Sequence, residues 1–95
     1  MFSVLIPANT PTEIVAADTS SDHRSVLLCN NSDTTMYFSA NLSNEALDET
    51  NGIPLLPAER VVIEDSEFVK SGSNRIVAMH AGTGTKDIRG EVYNG

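Results

Sequence analysis

Short runs of β-forming residues alternate with clusters of turn residues along almost the whole chain, and this rhythm is its dominant signal. Phe2 to Ile6 is the first run, closed by Pro7 and the polar stretch Asn9-Thr10-Pro11-Thr12. Glu13 to Ala17 is the second, followed by Asp18-Thr19-Ser20-Ser21-Asp22. Ser25 to Asn30 ends in Asn30-Asn31-Ser32-Asp33, and Thr35 to Ala40 follows at hairpin distance, with Tyr37 and Phe38 as aromatic β-formers. Arg60 to Glu64, Arg75 to His80 and Lys86 to Tyr93 complete the series. The spacing predicts an all-β fold: an antiparallel β-sandwich of jelly-roll type, with about seven to eight strands and at most one short helix.

The faces of these runs add detail. In the last, Ile88 and Val92 fall on one side, and Asp87, Arg89, Glu91 and Tyr93 on the other, as in a strand with one wet face. Gly90 lies on the buried side, where a bulge or a close backbone approach accounts for it. Val26, Leu27, Leu28 and Cys29 are apolar on both faces. Such a strand is either central and roofed by a loop, or part of a subunit contact. The first run, with Phe2, Val4 and Ile6 on one face and Leu5 on the other, poses the same choice. One segment breaks the β rhythm: Ser43 can cap a short helix with Leu42 and Leu47 as its hydrophobic staple, the alternative being an irregular loop. The excursion from Leu42 to Ala58 is the longest connection, and long connections are where small domains carry binding surfaces.

Composition narrows the range of functions. Ninety-five residues, 40% of them hydrophobic, make a single domain over 1–95, with residues 1–11 as an N-terminal arm. Thirteen acids against six bases give a net charge of −7, the wrong sign for a protein that draws affinity from phosphate. The start has no basic region and only a short apolar run, so no signal peptide is expected, and no stretch approaches the length of a membrane span. Cys29 is alone, which excludes an intrachain disulfide. The chain is expected to be made in a reducing cytoplasm, so the glycosylation patterns at Asn30 and Asn41 are read as coincidence.

Candidate chemistry is thin. His23 sits in Asp22-His23-Arg24-Ser25, but a catalytic triad is defined by spatial roles, not adjacency, and no nucleophile elbow is present. His23 reads as a turn residue and His80 as a structural one. With Cys29 they show no zinc-ligand spacing. Gly82-Thr83-Gly84-Thr85-Lys86 has the wrong spacing for a phosphate loop and precedes a strand, so it reads as a hairpin turn. Glu64, Asp65 and Glu67 form the densest acidic run but lack the pattern of a calcium loop. A nucleic-acid-binding β-barrel needs a basic groove with stacking aromatics; this chain has scattered cations and no Trp. No enzyme, metal or cofactor is expected.

The order of segments carries a resemblance. Val26-Leu27-Leu28-Cys29-Asn30-Asn31-Ser32-Asp33-Thr34-Thr35-Met36-Tyr37-Phe38 is an apolar strand, a polar turn and an aromatic strand. Asn51-Gly52-Ile53-Pro54-Leu55-Leu56-Pro57-Ala58-Glu59-Arg60 and Ile76-Val77-Ala78-Met79-His80-Ala81-Gly82-Thr83 follow, leading into Asp87-Ile88-Arg89-Gly90-Glu91-Val92-Tyr93. Over residues 25 to 93 this succession resembles the small β-sandwich virion proteins of tailed bacteriophages. Those share the order strand, N-x-S turn, strand, G-x-P-L-x-P-G-E, strand, A-x-x-A-G-T, strand. Ala58 stands where a glycine is commoner before the acid, which bears on the local turn.

The resemblance implies a non-enzymatic virion component on the capsid surface, a decoration or cement protein that binds the major capsid protein and bridges neighbouring subunits. It implies a homo-oligomer, with a trimer favoured, and no nucleic-acid or membrane partner. Candidate interface residues are Phe2, Val4 and Leu5 of the arm, Val26 and Leu28 of the two-sided strand, and Arg24 and Arg60, since Arg is enriched at interfaces. The rival reading is a receptor- or carbohydrate-binding module on a tail or head fibre, for which Tyr37 and Tyr93 are the available tyrosines.

Overall fold

A computed structural model describes residues 1–16, 24–39, 47–63 and 75–94. Among the described residues eight strands are formed: β1 (Phe2–Ile6), β2 (Thr12–Val15), β3 (Arg24–Asn30), β4 (Met36–Ser39), β5 (Ile53–Leu55), β6 (Arg60–Ile63), β7 (Ile76–His80) and β8 (Lys86–Asn94). They make two four-stranded antiparallel sheets, the first ordered β1-β8-β3-β6 and the second β2-β7-β4-β5. The pairing is nested about mid-chain: β1 with β8, β2 with β7, β3 with β6 and β4 with β5. The chain behaves as one long hairpin folded over itself into a β-sandwich.

The alternation in sequence sets the faces. Ile6, Val26, Leu28, Ile63 and Ile88 of the first sheet meet Ile14, Met36, Phe38, Leu55, Ile76 and Ala78 of the second in one core. At 0% exposure, Val26 and Leu28 are core residues. That corrects their reading as contact residues: β3 is central, hydrogen-bonded to β8 and β6, and its even positions point between the sheets. Among the described strands it is β7 that is covered on both faces, buried at every position. Its outward Val77 and Met79, with Tyr37 beside them, lie under Leu47 from the long connection. The described part of that connection therefore roofs the second sheet.

The structure departs from the sequence pattern in two places. The strand β5 was not expected, because three residues with a proline at the centre give no alternating signal; as a short edge strand it tolerates Pro54, which has no N–H to give. Asp48 to Gly52 forms a hydrogen-bonded turn rather than a helix, with the Asp48 carboxylate accepting from the Thr50 and Asn51 N–H groups and the Gly52 N–H reaching the Asp48 carbonyl. The proposed helix start at Leu42 and Ser43 lies outside the described residues, as do His23, Asn41 and the acidic run Glu64, Asp65 and Glu67.

One end of the sandwich is tied by buried polar groups. The Asn30 side chain is wholly buried; its Nδ2 donates to the carbonyls of Thr34 (2.8 Å) and Leu55 (2.9 Å), and its Oδ1 accepts from Ser32 Oγ (2.6 Å). An amide so committed is no glycosylation acceptor. His80 is equally buried, its Nδ1 accepting from the Gly82 N–H at 3.2 Å, which leaves Nε2 to donate to the Ile6 carbonyl at 2.8 Å. This imidazole joins the end of β1 in one sheet to the end of β7 in the other, a structural role.

The turn Leu56-Pro57-Ala58-Glu59 closes with the Glu59 N–H on the Leu56 carbonyl at 2.9 Å, while Glu59 Oε1 accepts from the Leu56 N–H at 2.9 Å. Ala58 adopts φ 64°, in the left-handed region where a Cβ is strained. A proline followed by a positive φ is the pattern of a type II turn, which favours glycine at this position. Ala58→Gly is expected to stabilise the protein by about 0.5–1 kcal/mol, since relief of strain outweighs the greater freedom of glycine in the unfolded chain. A urea midpoint equal to or below that of the parent would show that the turn carries no such strain.

Candidate interaction surface

The outer faces of the two sheets differ. The second is covered over β4 and β7 by Leu47. On the first, the odd positions of β3, β8 and β1 and the even positions of β6 point outward, as the cross-strand register requires. Leu27 stands between Glu91 of β8 and Val62 of β6, and Cys29 between Arg89 and Arg60. Leu5 (65% exposed), Tyr93 (52%) and Val62 (49%) are large hydrophobic side chains left in the open on this face. Leu27 and Cys29 are half-buried by their neighbours.

The expected interface residues are thus dispersed. Leu5 and Arg60 are both on this outer face, but on its opposite edge strands, with β8 and β3 between them. Phe2 and Val4 point the other way, half-buried against the core, the Phe2 ring lying over Gly90. Arg24 opens β3 opposite Asn94, and its side chain lies outside the described part of the structure. The sequence reading missed Leu27 and Val62 as an adjacent apolar pair and Arg89 as their neighbour. Alternation alone places each on a face; the β3–β6 register sets Leu27 beside Val62, and the β3–β8 register puts Arg89 opposite Cys29, one row away from Leu27. Ile53 and Leu56, exposed beside Pro54 and Pro57, form a second apolar spot at the β5 edge.

Charges on the face are organised around β8. Asp87 accepts from Ser3 Oγ (2.7 Å), Asn31 Nδ2 (3.0 Å) and Arg89 Nε (2.8 Å), which ties β1, the β3–β4 turn and β8 together. The hydrogen bonds from Asn31 and Ser3, with a smaller contribution from Arg89, hold its carboxyl below the ordinary value of 3.8. Asp33 is lowered by its bond to Lys86 and then to Thr34, and Asp48 by Thr50 and Asn51. Tyr93 donates to Glu91 Oε2 at 3.0 Å, and that carboxylate pushes the phenol above its ordinary range. Among the described residues no ion pair engages Arg60, and no three His, Cys, Asp or Glu side chains converge as a metal ligand set.

The lowered carboxyls fix the direction of pH dependence. A group whose pKa is depressed on folding contributes stability above its unfolded value, and that contribution is lost as pH falls through the folded value. Stability should therefore hold from neutrality to about pH 4 and fall below it. Asp87→Asn should lower the urea midpoint at pH 7 and narrow the difference between pH 7 and pH 3. An unchanged difference would show that Asp87 is not among the groups responsible.

No known protein family, no curated protein and no solved structure matches this chain. Among the described residues no helix is long and apolar enough to cross a membrane.

Proposed function

We propose that this chain is a structural virion protein of a tailed bacteriophage, a decoration protein that binds the outer capsid surface and bridges neighbouring subunits of the major capsid protein. The observation that carries the reading is the uneven cover of the two sheets. The first sheet presents the outward row Glu91-Leu27-Val62 beside the row Arg89-Cys29-Arg60 on a broad β-face, while Leu47 roofs the second. Apolar side chains interleaved with Arg are the composition of a protein–protein contact. The nested strand pairing supports a jelly-roll topology, two Greek keys folded from one hairpin, in accord with the sandwich that the segment order implies.

In this role the protein acts as a small homo-oligomer without enzymatic activity, on the head surface after synthesis in the host cytoplasm. Each contact is modest, and many copies on a repeating shell supply the strength. Charge fits the position: a net −7 suits an outer surface better than one pressed on packaged genome. The fibre or glycan-binding alternative has less support, because Tyr37 is half-buried beneath Leu47 and only Tyr93 of the two tyrosines is open.

The test is co-sedimentation of the purified chain with empty heads assembled from the major capsid protein encoded in the same genome. Saturable binding that Val62→Lys removes, with the urea midpoint unchanged, supports the reading. Absence of head binding, together with a glycan-array signal that Tyr93→Ala removes, would replace it with the fibre alternative.

A further inference from the structure

The two sheets end in four edge strands, and three of them carry features that block the addition of another strand. On β6 there is the charge of Arg60; β5 is three residues long with Pro54 at its centre; β2 has a register shift between Glu13 and Val15 and a charged Glu13 paired to Arg75 at 3.6 Å. β1 has none of these. Its five residues, Phe2-Ser3-Val4-Leu5-Ile6, include no charge, no proline and no register shift, and among the described residues only one side of the strand is paired, to β8. An edge of this kind is a template for another strand.

We propose that β1 pairs antiparallel with β1 of a second copy of this chain, joining two first sheets into one continuous eight-stranded sheet about a twofold axis through Val4. The proposal rests on the homo-oligomer part of the reading above, not on its capsid target, and it replaces the threefold arrangement with a twofold one.

The register follows from side-chain direction and charge. Antiparallel partners point to the same face, so a pairing offset by one residue would set core-facing Phe2 and Val4 against outward Ser3 and Leu5. Three symmetric registers keep the faces matched. Centred on Leu5, the row across the joined sheet reads Asp87-Leu5-Leu5-Asp87, with like charges at its ends. Centred on Ser3 it reads Arg89-Ser3-Ser3-Arg89, again with like charges. Centred on Val4, each outward row reads Arg89-Ser3-Leu5-Asp87, with opposite charges at its ends, and all five residues of β1 are used. The charged ends of a row are about three strand spacings, or about 14 Å, apart, so they bias the register and do not supply the affinity. Affinity comes from the main-chain bonds, from cover for Phe2 and Val4, which are half-buried at the open side of the core, and from burial of the exposed Leu5 against Ser3 of the second copy. An isologous contact of this kind closes at two copies.

Sedimentation equilibrium of the full chain from about 10 μM to 1 mM tests the proposal, the top of that range corresponding to the weakest specific association worth the name. The expected result is a reversible monomer–dimer equilibrium that Leu5→Lys weakens at least tenfold, with the urea midpoint unchanged. Register is read separately by disulfide formation in a Cys29→Ser background. Ser3→Cys mixed with Leu5→Cys should cross-link, while either alone should not, because facing residues lie within disulfide reach and diagonal ones do not. A monomer throughout, a trimer, a dimer indifferent to Leu5→Lys, or no cross-link in the mixture would each overturn the proposal. None of these outcomes bears on head co-sedimentation, and failure to bind heads leaves the dimer standing.

Discussion

Gly90→Ala is expected to destabilise the protein by about 3 kcal/mol, at the upper end of what one added methyl costs in a packed interior. Gly90 lies in β8 between Phe2 of β1 and Leu28 of β3, on the core side of the first sheet. A Cβ there would run into the carbonyl oxygen of Leu27 and into the Phe2 ring, whose Cζ would be 2.6 Å away. The ring could swing aside, but the carbonyl belongs to the backbone of the central strand and cannot move without disturbing its pairing. The double variant Phe2→Ala/Gly90→Ala should therefore recover little of the loss. In a domain of this length the single change should lower Tm by on the order of 15 °C. A fall of under about 3 °C would mean that β8 and β3 separate easily, and that the first sheet is less rigid than its register suggests.

Asn30→Asp is expected to have an effect of comparable size with a pH dependence of its own. The change is nearly isosteric, yet it replaces the NH2 that donates to the carbonyls of Thr34 and Leu55 with an oxygen facing both. The bond lost to the buried Leu55 carbonyl costs about 1–3 kcal/mol, and the one lost to the part-buried Thr34 carbonyl, which keeps Ser32 Oγ, costs less, so about 3 kcal/mol is expected at neutral pH. Burial and the facing carbonyls disfavour the charged form, so the folded pKa of the new carboxyl is raised above its unfolded value. Its penalty is then full above the folded pKa and declines as pH falls toward the unfolded value, opposite in sign to the effect of the native Asp33, Asp48 and Asp87. Urea midpoints at pH 7 and pH 5 test this: the gap between variant and parent should narrow at pH 5. A gap that stays constant would show that water reaches the site.

The strands were legible because period-two alternation and turn chemistry are local. Phe2 to Ile6, Ser25 to Asn30 and Lys86 to Tyr93 announce themselves through residues that neighbour one another in sequence, and each forms a strand. The special role of Gly90 was legible for the same reason, as a glycine on an otherwise apolar face. The departure at Ala58 was visible only through the resemblance, whose pattern has glycine there; the positive φ is a finding of the structure. By contrast β5 was hidden, since three residues are too few to show a period.

The candidate surface was legible only in part. Leu5 and Arg60 could be placed on a surface by alternation, whereas Val26 and Leu28 could not be told from interface residues, because an apolar run looks the same whether a partner or the second sheet covers it. Sequence by itself determined where seven of the eight described strands form, which side chains share a face, the acidic charge, and the special place of Gly90. Tertiary structure alone decided that β7, rather than β3, is buried at every position, that Leu27 adjoins Val62, that Asn30 and His80 bind across the sandwich, and that among the described residues β1 is left as a bare edge. The reason is range: alternation and turns are fixed by residues a few positions apart, whereas β1 meets β8 across more than eighty residues of chain, as Ser3 donating to Asp87 shows.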